Sequence, residues 1–151
     1  MTDRWIRVLL AFQAVGLVAV AVWPLVDPQG FYDNFPGGGR HWIDINGPYN
    51  EHFITDFGAL NAALLVVVIF AFWKLTPSLV QASAVALMVY AVPHLIYHLN
   101  NIDVYESSDK VPAVAPLALQ FVAAAVMLWL SSRTRLSRSS HDQTQVLGQK
   151  S

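Results

Sequence analysis

The chain has 151 residues, of which 55% are hydrophobic and 13% charged, with a mean hydropathy of +0.44 and a net charge of -1. The charged share is about half the roughly 25% usual for soluble domains. A near-zero net charge leaves no global basic field for nucleic acid, and the absence of cysteine excludes disulfides, thiolate nucleophiles and thiolate metal sites.

The arrangement of the apolar residues carries more than their number. A bilayer core needs roughly 20 apolar residues as a helix. Four blocks have that length, at about 8–26, 51–73, 78–99 and 112–130. Met1 to Arg7 is a short basic head around Trp5. The first block, interrupted only by Gln13 and Gly16, ends near Pro24. A cleaved signal peptide is the rival reading, with Ala19-Val20-Ala21 as its cleavage motif, but the run exceeds a typical signal core.

Asp27 to Pro48 is rich in turn chemistry, including Pro36-Gly37-Gly38-Gly39 and Asn46-Gly47-Pro48. The glycines lack the following Lys-Ser/Thr of a phosphate loop. Phe31, Tyr32, Phe35 and Trp42 are interleaved with the turns, which suits a lid lying on a bundle at the membrane interface. The second span follows Pro48 and closes at Lys74. Thr76-Pro77 breaks the chain, and Pro93 is an expected kink in the third span. A polar stretch over 100–112 leads to the fourth span. Residues 131–151 are polar and aperiodic, which predicts a disordered cytoplasmic tail.

Lys and Arg placement sets the expected orientation. Arg4, Arg7, Lys74, Arg133, Arg135 and Arg138 fall on one side of a four-span chain. The other side holds Arg40 and Lys110 among Asp27, Asp33, Asp44, Asp103, Glu106 and Asp109. The expectation is an all-α, four-transmembrane-helix bundle of the cell membrane with both termini cytoplasmic.

That topology brings two local patterns to the same outer end. His52 and Asp56 are one helical turn apart at the start of the second span, and His94 and His98 are one turn apart at the end of the third. Ionisable groups at the edge of an apolar span raise a functional question by default. If the two faces meet, His52, Asp56, His94 and His98 form a site for a divalent transition metal such as zinc, iron or copper. Glu51 is then a catalytic base or an extra ligand. His41, Asp44, Asn101 and Asp103 are loop supplements, and Tyr90 and Tyr97 are hydrogen-bond donors. A haem between His52 and His94 is a geometric alternative without an attachment motif. Other readings keep the cluster free of metal. In one it does acid–base chemistry. In another it is structural, in a non-enzymatic accessory subunit or a protein that binds a small lipophilic molecule, lipid or quinone. Gln13, Asn61 and Gln120 are expected to make interhelical hydrogen bonds, and Gly58, Ala59, Ala62 and Ala63 to allow close helix approach. The lipid bilayer is an expected partner, and self-association or a larger membrane complex are both compatible with the small-residue faces.

Phe-Tyr-Asp-Asn-Phe-Pro-Gly at 31–37, Gly-Pro-Tyr-Asn-Glu-His at 47–52, Gly-Ala-Leu-Asn at 58–61 and His-Leu-Ile-Tyr-His-Leu at 94–99 together resemble small bacterial membrane proteins of the broad DoxX-like kind. The resemblance covers roughly residues 5–130. It implies a four-helix membrane bundle and assigns no catalytic residue.

Overall fold

The computed structural model describes residues 2–133 in full, and the backbone of the last helix on to Gly148. Where a disordered tail is expected from Ser131, that helix continues to Gly148; side chains beyond Arg133, and residues 149–151, lie outside the described residues.

Four long helices make the body: α1 (Thr2–Val26), α3 (Glu51–Lys74), α4 (Pro77–Asn100) and α5 (Lys110–Gly148). Each is long and apolar enough to cross a membrane, α5 over Lys110–Arg133. The short α2 (Pro28–Asn34) precedes a two-residue antiparallel ladder, β1 (Pro36–Gly37) with β2 (Arg40–His41). The fold is all-α, as the apolar blocks require.

Local chemistry sets the boundaries. Asp27 caps α2 by accepting from the Gly30 N–H at 2.9 Å, and Pro28 opens that helix. Asn50 caps α3, its Oδ1 accepting from the Phe53 N–H at 3.1 Å. At the other end of α3, Leu75 takes a left-handed conformation (φ 48°) and its N–H returns to the Ala71 carbonyl. The chain then reverses at once into α4, whose first residue is Pro77. α1 runs through Pro24 without a break and ends at Val26.

α1 packs chiefly on α3 and α4 chiefly on α5, with α3–α4 and α1–α5 as the lesser seams. The shared core contains Ile6, Leu10, Leu17, Val68, Ala71, Val80, Leu87, Ala124 and Met127. Many large apolar side chains point outward all along the four helices, among them Val15, Leu60, Val89 and Leu119. Water would penalise such a surface and lipid would not. Exposed Trp5, Trp73 and Trp129 ring one end of the bundle, the position of an interfacial aromatic belt.

Polar side chains inside the bundle partly follow expectation. Gln13 bridges α1 to α5, its Nε2 donating to the Gln120 carbonyl at 2.8 Å. Asn61 Nδ2 donates within its own helix, to the Phe57 carbonyl at 2.8 Å, and its side chain also meets the Tyr90 hydroxyl of α4. Gly58 is the close-approach point: a Cβ there would stand 2.9 Å from the Pro24 Cβ.

Candidate functional site

The start of α3 and the end of α4 lie at the same end of the bundle, beside both long loops. Phe57 of α3 meets the ring of His94 edge-on, with centroids 6.5 Å apart. The expected juxtaposition of helix ends is therefore present. The two ionisable pairs are not merged across it.

His52 and Asp56 pair with each other, Nε2 to Oδ2 at 3.3 Å, with side chains 87% and 66% exposed. Glu51 is exposed in the first turn of α3. His94 and His98 pair separately, Nε2 to Nε2 at 3.0 Å. Among the described residues no group of three or more His, Asp or Glu side chains is close enough to hold a metal ion. Sequence spacing correctly put each pair on one helix face. It could not fix the rotation of α3, which turns His52 and Asp56 outward.

The supplementary residues have other duties. His41 Nδ1 donates to the Asp33 carbonyl at 2.7 Å and lies 3.3 Å from Asp44, so both belong to the first loop. Asn101 donates to the Tyr97 carbonyl at the end of α4. Asp103 pairs with Lys110 at 2.7 Å, which holds its carboxyl below the ordinary value of 3.8. Tyr97 does not donate to histidine. Its hydroxyl donates to Asn46 Oδ1 at 3.0 Å.

The partner that sequence reasoning missed is Tyr105, buried in the second loop. Its hydroxyl lies 3.0 Å from His98 Nδ1, and its ring stacks on the imidazole at 5.7 Å. Tyr105, His98 and His94 thus form one hydrogen-bonded chain. Each link has a proton on one side only, so two arrangements exist. In the first, Tyr105 O–H donates to His98 Nδ1 and His98 Nε2–H donates to His94 Nε2. The proton on His94 then sits at Nδ1. In the second, every donor and acceptor is reversed, and His94 Nδ1 is a bare acceptor. Either way His94 Nδ1 is buried without a protein partner. The edges of Phe57 and Tyr90 stand against the His94 ring.

A latch joins this chain to the first loop. Asp109 is 8% exposed at the end of the second loop. It accepts from Trp42 Nε1–H at 2.8 Å and pairs with Arg40 Nε at 2.9 Å. Trp42 packs edge-on against Tyr105. Asn46 adds a second tie through Tyr97, and Tyr32 donates to the Gly47 carbonyl at 2.5 Å. Below them, Trp23, Phe31, Phe35 and Phe57 form an aromatic layer fixing α2 to α1 and α3. The lid expected from interleaved aromatics is present, and Asp109 is its anchor. No sequence pattern marks Asp109, because its partners lie 67 and 69 positions away in the chain.

The fold and site define a multi-pass helical membrane bundle with a hydrogen-bonded cap over one end. Compared with known proteins, the chain matches no family model, no curated protein and no solved structure. The architecture implied by the DoxX-like resemblance is present as four apolar helices, and no family match accompanies it.

Proposed function

We propose that the chain is a non-enzymatic, multi-pass accessory protein of the cell membrane, and that its histidine cluster fixes a rigid outer cap. The observation that carries this reading is the Tyr105–His98–His94 chain. It uses both nitrogens of His98 and one of His94 within the protein, and Trp42 and Asp109 tie it to the other loop. Histidines so engaged serve as struts.

Orientation follows from charge. Arg4, Arg7, Lys74 and Arg133 mark the end with the α3–α4 turn, and acidic residues dominate the capped end. Basic residues are retained on the cytoplasmic side, so the cap faces outward and the amino terminus is cytoplasmic.

The test is elemental analysis of detergent-purified protein after mild chelation and metal repletion, with thermal unfolding alongside. His98→Ala is expected to lower the midpoint and to leave metal content unchanged. Near-stoichiometric metal that disappears in His94→Ala and His98→Ala would overturn the structural reading in favour of a metal centre.

A second reading rests on one atom. His94 Nδ1, buried between aromatic rings and unpartnered, is the contact that a small lipophilic hydrogen-bonding molecule of the quinone class would use. A short-chain quinone that raises the midpoint of the wild type and not of His94→Phe would favour this reading over the accessory one.

A further inference from the structure

At the opposite end of the bundle, a shallow groove of about 500 Å³, open to the surface, lies between the start of α1 and the end of α3. Asp3, Arg4, Arg7, Val8, Ala11 and Phe72 line it. We infer that this groove is a binding site for a single anionic phospholipid, with the headgroup phosphate on Arg4 and Arg7 and an acyl chain along Val8, Ala11 and Phe72.

Three observations carry the assignment. First, Arg7 is pre-positioned. Its Nη1 donates to the Phe72 carbonyl at 2.5 Å, and its guanidinium lies 5.4 Å from the Phe72 ring centroid. The carbonyl belongs to the last turn of α3, where backbone acceptors lack intrahelical donors. One edge of Arg7 is used this way, and a guanidinium has five N–H donors in all. Second, the charge is complementary. Arg4 is exposed on the next turn, and Lys74 ends α3 at the same level, with Asp3 as the lone carboxylate of the lining. The amino-terminal end of α1 adds its own partial positive charge. Third, the lining changes from charged to apolar along α1, from Arg4 and Arg7 to Val8 and Ala11, as a lipid changes from headgroup to chain. Exposed Trp5 and Trp73 flank this level, where headgroups lie. A free phosphate would satisfy the arginines and leave the apolar half of the groove bare.

The test is native mass spectrometry of the full chain in detergent, with phosphatidylglycerol and phosphatidylcholine supplied in competition. The wild type is expected to retain one phosphatidylglycerol in preference. Each arginine contributes about a fivefold preference near an anionic headgroup. Arg4→Gln is expected to lower the preference about fivefold. Ala11→Trp, on an exposed position, fills the apolar half and is expected to lower occupancy of both lipids. Thermal unfolding confirms that both variants fold, since neither side chain supports the core. No phosphatidylglycerol preference in the wild type overturns the proposal, and so does an unchanged preference in Arg4→Gln. Loss in Arg4→Gln with full retention in Ala11→Trp overturns the groove and reduces the site to surface charge. Displacement of the lipid by millimolar inorganic phosphate alone overturns the acyl-chain assignment.

Discussion

A hydroxyl and a carboxylate decide how the cap is held. Tyr105→Phe removes the bond to His98 Nδ1 and preserves the ring stack. The expected loss is about 1 kcal/mol, seen as a lower unfolding midpoint in detergent. Burial pushes the Tyr105 hydroxyl above its ordinary value of 10.0, with Tyr97 adding to the shift and Asn46 opposing it. The sign follows from linkage. A phenol that ionises later in the folded chain contributes stability that is complete below the unfolded value, near pH 10, and is lost as pH rises through the folded value. The gap between wild type and Tyr105→Phe is therefore expected to be full at neutral pH and to shrink above pH 10 in parallel unfolding series. A gap that widens with pH would refute the assignment. Asp109→Ala removes the acceptor shared by Trp42 Nε1–H, the Arg40 guanidinium and the Ser108 hydroxyl. It is expected to cost about 1–3 kcal/mol and to quicken proteolysis within residues 36–50.

Helix seams are the next level of control. α1 and α3 approach where Gly58 meets Pro24 and Leu25, and a Cβ at Gly58 would lie 2.9 Å from Pro24 Cβ and 3.1 Å from Leu25 Cγ. A proline ring has no rotamer by which to yield. Gly58→Ala is expected to spread the seam and cost about 1–3 kcal/mol, with a lower unfolding midpoint as the readout. The same seam carries Trp23 and Phe57, members of the aromatic layer under the cap, so a spread seam also loosens α2. An unchanged midpoint would mean that the seam has slack the packing does not show.

At the scale of the molecule, charge and aromatic belt distinguish the two ends. The chain has no cysteine, so single cysteines report their own position. Ser107→Cys, in the second loop, is expected to react with a membrane-impermeant maleimide on intact cells. Thr76→Cys, in the α3–α4 turn, is expected to react only after the membrane is opened. The reverse pattern would invert the proposed orientation and leave the fold untouched. Both sites are exposed and neither side chain makes a cap bond, so labelling reads topology alone.

Sequence alone determined the four apolar helices, because hydrocarbon length is written as a run of residues and needs no tertiary information. It determined the i, i+4 pairing within His52–Asp56 and within His94–His98, because helical pitch fixes spacing on one helix. It also placed both pairs at one end, since a short turn makes neighbours antiparallel. The rotation of α3 about its own axis was another matter. Apolar side chains occupy every side of a membrane helix, so no amphipathic stripe reveals which side is inward, and His52 and Asp56 turned out to face away. Tyr105 and Asp109 were equally hidden. They sit in a polar loop that looks ordinary by composition, and their roles arise from partners brought near only by the closing of the bundle. Tertiary structure therefore decided that the histidines meet a tyrosine, and not each other across two helices, because seam packing sets helix rotation and helix rotation sets which polar groups share a space.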